Sequence, residues 1–172
     1  MRRNAQIQSQ VFVLILAAVV FIMVLAFGYR ALRDLNEQRK LVALVDVVEQ
    51  LKQEVRSISL SFGSTKKLEL TGFPSNYKKL CIVTGRTEQE LAGLEKESPL
   101  IRELYQPDGA ENVFLLPERS SIPVKLEAIE ASSAPKSRGP KKWFCTIIDS
   151  GVAVLYLEGI GNGVLITEWP QA

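Results

Sequence analysis

The residues best suited to chemistry in this chain are its two cysteines, because histidine is absent altogether. Without histidine the chain lacks the commonest general base and the commonest metal ligand, and a cysteine nucleophile would lack its usual imidazole partner. Cys81 and Cys145 each lie in a segment that the sequence predicts to be a strand. They could form one disulfide that closes a loop of about 64 residues, or remain two buried thiols that act as small apolar side chains.

The glycine-rich and acidic motifs are typical of turns rather than of catalytic sites. Asp108-Gly109 and Asp149-Ser150-Gly151 have the composition of turns. The segment 159–163, Gly-Ile-Gly-Asn-Gly, is superficially similar to a phosphate-binding loop, but a strand-type run follows it instead of the helix that would bind phosphate. Acidic residues are scattered among lysines and form no metal-ligand pattern. We therefore expect no enzyme, no cofactor and no metal.

The charge balance argues against a nucleic-acid partner. The chain carries 21 Lys and Arg against 19 Asp and Glu, a formal net charge of +2. Nucleic-acid binding requires a clustered basic surface, and the sequence contains no such cluster.

An apolar block near the N-terminus decides where in the cell the rest of the chain can lie. Val11–Phe27 is a run of seventeen apolar residues without a single polar one. As a helix it would be about 25 Å long, close to the roughly 30 Å of a bilayer core. A helix in the core of a soluble protein would carry polar residues on one side. The block therefore predicts insertion of the N-terminus into a membrane.

Three outcomes are possible for this block after insertion. An ordinary signal peptide would be cleaved after the apolar run, but no small-x-small motif follows Phe27. A signal anchor would be retained whole. The third outcome is cleavage on the near side of the run, within the polar residues that precede it.

Those polar residues comprise a short basic segment, Met1 to Ala5, followed by Gln-Ile-Gln-Ser-Gln-Val-Phe-Val-Leu from Gln6 to Leu14. The arrangement resembles the class III signal peptide of archaeal type IV pilins. In that family a prepilin peptidase cuts such a leader on the cytoplasmic side, and the hydrophobic helix stays in the mature protein. The resemblance covers about 25 residues and implies cleavage between Ala5 and Gln6.

The same resemblance implies assembly roles for Gln10 and Leu14. Gln10 stands where the family usually has a glutamate that aligns an incoming subunit against the N-terminal amine of its neighbour. A glutamine can form a hydrogen bond there but supplies no charge pairing. The neutral residue at this position therefore favours a minor, priming or non-assembling pilin-like protein.

The next segment extends the predicted helix beyond the apolar run. From Ala31 to Ser61 the chain contains neither proline nor glycine, and apolar residues recur at spacings of three and four. This stripe consists of Leu41, Leu44, Val48, Leu51, Val55 and Ile58. We expect one continuous helix from about Ile7 to Leu60. Its C-terminal part packs either beneath the sheet of a globular domain or against other copies of the chain.

The remaining chain is predicted to form short strands separated by turns. The predicted strands are Lys67–Thr71, Leu80–Val83, Asn112–Leu116, Val124–Ile129, Trp143–Ile148, Val152–Leu157 and Val164–Trp169. The last three are expected to form a meander, because turn residues at 149–151 and the Asn162-Gly163 pair separate them. Ala131–Lys142, rich in Ser, Pro and Lys, is expected to be an exposed loop.

An insert between these strands has helical signals. Thr87 and Glu90 have capping-box spacing, and Ser98 followed by Pro99 is a second helix start. The fold class is therefore α+β, a long N-terminal transmembrane and amphipathic helix followed by a small, mainly antiparallel β-sheet domain. This is the lollipop shape of a pilin. The regions are a possible leader (1–5), a transmembrane helix (6–29), an amphipathic helical stalk (30–61) and an extracytoplasmic β-rich domain (62–172) with a helical insert at 87–105.

Three functions remain open at this point. The first is a membrane-anchored, pilin-like structural subunit, whose partners would be membrane lipid, other pilin-like subunits or itself, and a prepilin peptidase. The second is a single-pass anchored domain that binds an extracytoplasmic ligand without assembling into filaments. The third is an accessory subunit of a membrane complex. In each case we expect a cytoplasmic N-terminus and an extracellular C-terminal domain, because long downstream domains translocate largely regardless of flanking charge.

Overall fold

The structure is a computed structural model that describes residues 3–109, 111–117, 124–133 and 141–169, with side chains from residue 12 onward. Three helices and seven strands lie within these ranges. In chain order they are α1 (Arg3–Ser59), β1 (Thr65–Thr71), β2 (Lys79–Val83), α2 (Leu94–Glu97), α3 (Pro99–Leu104), β3 (Val113–Leu116), β4 (Ile129–Ser132), β5 (Trp143–Ile147), β6 (Val152–Gly159) and β7 (Val164–Glu168). The long N-terminal helix followed by a small, mostly antiparallel β-sheet domain confirms the α+β class.

Helix α1 is continuous, as the absence of proline predicts. The chain divides into two compact units, 1–40 and 41–172, so α1 supplies residues to both. In the first unit every described side chain, from Phe12 onward, is exposed. The second unit contains the end of α1 and all seven strands.

The last five turns of α1 bury one apolar face in the second unit. Its buried residues are Leu44, Val47, Leu51, Val55 and Ile58. The predicted stripe was wrong at Leu41, which is 42% exposed, and it missed Val47, which lies at the centre of the face while Val48 packs half-buried at its edge. Val47 lies three residues after Leu44 and four before Leu51, the spacing that keeps residues on one helix face. This part of α1 therefore packs in the domain core, one of the two alternatives for the stripe.

The strands form two sheets. The first sheet has the order β1-β6-β7-β4, with antiparallel pairs except for the parallel pair β4–β7, and the second has the order β3-β2-β5 with antiparallel pairs throughout. The predicted meander was therefore wrong in part, because β6 and β7 form a hairpin whereas β5 belongs to the other sheet. Directly after β5, the Ile148 N–H donates to the carbonyl of Lys78, the residue before β2, and so continues the pairing of these two strands. Ser150 and Gly151, at φ of 51° and 78°, then turn the chain toward the first sheet.

The segment Val124–Ile129 is not the strand that its composition predicts. Only Val124 forms a bridge, with Val113, and β4 begins at Ile129. Ala128 adopts a φ of 53°, in the left-handed region that interrupts an extended strand. The strand is displaced along the chain, so Ala131 and Ser132 are fully buried although they were expected in an exposed loop. Residues 134–140 of that loop lie outside the described ranges.

Two apolar cores lie on opposite faces of the second sheet. Along β2, Leu80 and Ile82 join the core that contains the buried face of α1 and the first sheet. Cys81 and Val83 point to the other face, where a second core includes residues of α2 and α3. The alternation follows from the two-residue period of a strand.

The start signals of the helical insert form the predicted bonds, but residues 87–93 form turns and α2 begins only at Leu94, after Gly93 at a φ of 85°. The Glu90 carboxylate accepts the Thr87 N–H at 3.1 Å while the Thr87 hydroxyl accepts the Glu90 N–H at 3.4 Å. The Ser98 hydroxyl accepts the Ile101 N–H at 3.4 Å, with Pro99 in the first turn of α3. These bonds satisfy backbone donors that a helix start leaves unpaired.

Glu168, the last residue of β7, makes stability depend on pH. Partial burial raises the pKa of its carboxyl above the ordinary value of 4.5, and the negative charge of Glu97 raises it further. When folding raises the pKa of a carboxyl, the folded state is most stable at a pH below the pKa of that group in the unfolded chain. This stability is lost as the pH rises through the pKa of the group in the folded protein. At neutral pH the charged Glu168 therefore destabilises the fold.

We expect Glu168→Gln to raise the midpoint of thermal unfolding at about pH 7 and to leave it nearly unchanged below about pH 4. Circular dichroism of the full chain at both pH values would measure this difference. Glu95→Gln, at an exposed position of α2, is the matched control. An equal rise at both pH values would contradict the electrostatic explanation.

Candidate functional site

The predicted leader and assembly residues all lie near the start of α1. Ala5, Gln6 and Gln10 are helical in their backbone, and their side chains lie outside the described part of the structure. Leu14 is 72% exposed. Gln10 and Leu14 are four residues apart and so share one face of the helix.

The apolar run forms an exposed surface along α1. From Phe12 to Phe27 every side chain is exposed, including Phe21 at 63% and Ile22 at 64%. Among the described residues, α1 is the one helix long and apolar enough to cross a membrane. Exposed apolar surface of this extent marks a contact with lipid or with another protein.

The two cysteines are directly opposite each other on neighbouring strands. Cys81 of β2 pairs with Cys145 of β5, and their sulfur atoms are joined at 2.02 Å. Cys81 is fully buried and Cys145 is half-buried, both on the sheet face that packs against α2 and α3. The structure thus brings this predicted pair together and links the central strand of the second sheet to an edge strand.

A cavity lies where loops from both sheets converge, and we call it the loop cleft. It has a volume of about 450 Å³. The end of β2, the segment after α3, the segment 125–130 and the β6–β7 turn each contribute residues to its wall. Its volume falls within the roughly 300–1,000 Å³ typical of small-molecule sites.

Several polar side chains of the loop cleft hold its wall together. The Asn112 side chain donates to the Leu126 carbonyl and accepts the Leu126 N–H, both at 2.8 Å. The Lys125 ammonium donates to the Gly109 carbonyl at 2.9 Å. These bonds fix segment 125–128 against the segment that precedes β3.

Four other polar side chains of the cleft wall are free to meet a ligand. They are Arg86, Asp108, Glu127 and Asn162. All four are exposed, and none forms a side-chain hydrogen bond or ion pair within the described residues. Together they offer one guanidinium, two carboxylates and one amide.

The insert positions Arg86 at the edge of the loop cleft. The Glu90 carboxylate accepts the Arg86 N–H at 2.7 Å, and this bond, with the one from Thr87, lowers the pKa of Glu90. Burial raises the pKa of the nearby Tyr105 phenol, whose hydroxyl donates to the Gly85 carbonyl at 2.9 Å. Tyr105 is therefore a structural hydrogen-bond donor and not a proton acceptor at neutral pH.

The sequence did not predict the loop cleft. Asp108-Gly109 and segment 159–163 were interpreted as turns, and both do occur between regular elements. What composition cannot indicate is that these turns, far apart in the chain, line one cavity, since their convergence depends on how the two sheets pack. Within the described residues, no three acidic or cysteine side chains are grouped as metal ligands.

Comparison with known proteins identifies no family for this chain. It matches no protein-family model, no curated protein and no solved structure. Functional inference therefore depends on the chain's own exposed apolar helix, its disulfide and its loop cleft.

Proposed function

We propose that this chain is a membrane-anchored, pilin-like structural subunit, a minor pilin of an archaeal type IV pilus-like filament. The observation that carries the proposal is the dual character of α1. Its segment Phe12–Phe27 is exposed and wholly apolar, whereas Leu44–Ile58 of the same helix bury a face in a small β-rich domain. A subunit of this kind needs one helix that serves both as membrane anchor and as part of the folded domain.

The composition of the apolar segment suits contact with other helices as well as with lipid. Ala17, Ala18, Ala26 and Gly28 present small surfaces. In membranes, helices approach one another closely at such residues and associate by van der Waals packing. The segment can therefore reside in the bilayer before assembly and pack against neighbouring copies afterwards.

The disulfide supports an extracytoplasmic location for the domain. Disulfides persist in oxidising compartments and are rare in the cytosol. The proposed topology places the N-terminus in the cytoplasm, where a prepilin peptidase would cut between Ala5 and Gln6. The domain that contains Cys81 and Cys145 then lies outside the cell.

The decisive experiment is mass spectrometry of the N-terminal peptide of the mature protein from the membrane fraction. We expect the peptide to begin at Gln6. Ala5→Leu should block this processing and leave a protein that retains Met1, because the peptidase requires a small residue before the cut. Ala31→Leu introduces the same side chain beyond the apolar run and should be processed normally. An uncut N-terminus in mature, surface-exposed wild-type protein would rule out the class III assignment.

The alternative function is a single-pass anchored domain that binds an extracytoplasmic ligand and does not assemble. The loop cleft, with its four uncommitted polar side chains, favours this candidate. It predicts an intact leader, so the same peptide measurement separates the two functions.

A further inference from the structure

We propose that the loop cleft is a binding site for a neutral saccharide. The site lies wholly within the second unit and does not depend on the proposed role of the apolar helix. The proposal follows from the charge balance of the cleft, its free hydrogen-bonding groups and the apolar side chains of its wall.

The charges around the cleft disfavour a strongly charged ligand of either sign. Its wall carries two cationic side chains, Arg86 and Lys125, among four acidic ones. One of the acids, Glu130, forms an ion pair with Lys142 at 3.4 Å. An anion would meet the two uncommitted carboxylates of the cleft, and a cation would meet Arg86 and Lys125. A neutral polar ligand avoids both costs.

The free groups of the cleft match a ligand rich in hydroxyl groups. Arg86 offers only donors, Asp108 and Glu127 offer only acceptors, and the Asn162 amide offers both. A hydroxyl both donates and accepts, so neighbouring hydroxyls on a sugar ring can satisfy donors and acceptors at once. Bonds of this kind to charged groups are stronger than bonds between neutral groups.

An extended peptide fits the cleft less well, because part of the backbone along its wall is already paired. The Val124 carbonyl accepts the N–H groups of Asn112 and Val113. The Asn112 side chain occupies both the N–H and the carbonyl of Leu126, and the Ala128 carbonyl accepts the Val164 N–H. An extended peptide binds mainly through main-chain hydrogen bonds to an open strand edge. The exposed side chains of the cleft are therefore its main recognition groups.

Apolar groups complement the polar ones. Ile129 and Ile160 contribute half-buried side chains to the cleft wall. The C–H face of a sugar ring can pack on such apolar surfaces while its hydroxyls bind the polar groups.

The test is binding of the full-length chain, in lipid nanodiscs, to an array of neutral and charged glycans, followed by titration with the best-bound free oligosaccharide. We expect saturable binding to one or more neutral glycans. Arg86→Gln and Glu127→Gln should each weaken it about tenfold, as expected when a hydrogen bond to a charged group is lost. Lys96→Gln and Glu95→Gln remove charges of the same signs on the exposed surface of α2 and should leave binding unchanged.

Three results would overturn the proposal. They are no glycan binding by the wild-type chain, a preference for anionic glycans, or equal losses in the cleft variants and the α2 controls. The four substitutions lie at exposed positions, so the unfolding midpoint of each variant should match that of the wild-type chain. Filament assembly plays no part in the measurement, so a negative result would leave the proposed structural function standing.

Discussion

The double substitution Ala17→Arg and Ala18→Arg is expected to release a large fraction of the protein from the membrane. Both residues lie near the middle of Val11–Phe27, where a charged side chain would face the bilayer core. An arginine at that depth costs roughly 2.5–3.5 kcal/mol on insertion scales, so two cost roughly 5–7 kcal/mol. The measurement is the fraction of protein that stays with membranes after alkaline carbonate extraction.

Two arginines are needed because the apolar run is strongly favourable. It contains thirteen Val, Leu, Ile and Phe residues. Each contributes roughly 0.3–0.6 kcal/mol to insertion, or roughly 4–8 kcal/mol together. A single arginine leaves a net gain, whereas two bring the balance close to zero.

The matched control places two arginines on the same helix outside the apolar run. Asn36→Arg with Gln38→Arg adds the same charge at exposed, polar positions of α1. This variant should remain in the membrane. If the Ala17/Ala18 variant also resisted carbonate extraction, the apolar run would not be the membrane anchor.

Regular elements with strong local signals could be predicted from the sequence. The alternation of Lys67–Thr71 predicted β1, and the helix-start signals at Ser98 and Pro99 predicted α3. The absence of proline predicted an uninterrupted α1. In these places the local preference of the chain and the demands of packing agree.

The elements that were predicted wrongly are those whose structure depends on tertiary contacts. Segment 124–129 has strand composition, but Asn112 binds the Leu126 backbone and Ala128 adopts a positive φ, so pairing with the first sheet begins only at Ile129. The sheet to which β5 belongs depends on its register with β2, which alternation does not encode. The predicted meander failed for that reason.

Among the site residues, too, some could be suggested from the sequence and others depend on tertiary contacts. The possible disulfide could be suggested from two cysteines in predicted strands, but only the register of β2 with β5 places Cys81 opposite Cys145. The loop cleft had no local signal at all. Arg86, Asp108 and Asn162 lie in separate loops that converge only because the two sheets pack together.

Gly159→Ala is expected to cause a large loss of stability in the second unit. A Cβ atom at this position would lie 2.1 Å from the Ser61 carbonyl oxygen and 2.6 Å from the Ile58 carbonyl oxygen. Both contacts are with backbone at the end of α1, so no side-chain rotation can relieve them. Gly159 also accepts the Gly63 N–H and donates to the Ser64 carbonyl, both at 2.8 Å, which holds β6 against this segment.

Relief of the clash requires α1 or β6 to move, and the buried face of α1 would lose packing against the first sheet. Overpacking costs roughly 1–3 kcal/mol, and a collision with backbone lies at or above the upper end of that range. We expect the unfolding midpoint of the full chain in detergent micelles to fall by about 10 °C.

Gly28→Ala is the matched control, because it makes the same chemical change at an open position of α1. A Cβ atom at Gly28 would meet nothing within 4 Å, and alanine favours a helix interior over glycine by about 1 kcal/mol. This variant should therefore leave the unfolding midpoint of the β-rich unit unchanged. A similar midpoint for both variants would mean that the close approach of α1 to β6 at Gly159 does not stabilise the fold. If only Gly159→Ala lowers the midpoint, the missing side chain at Gly159 is what lets the end of α1 pack closely against β6.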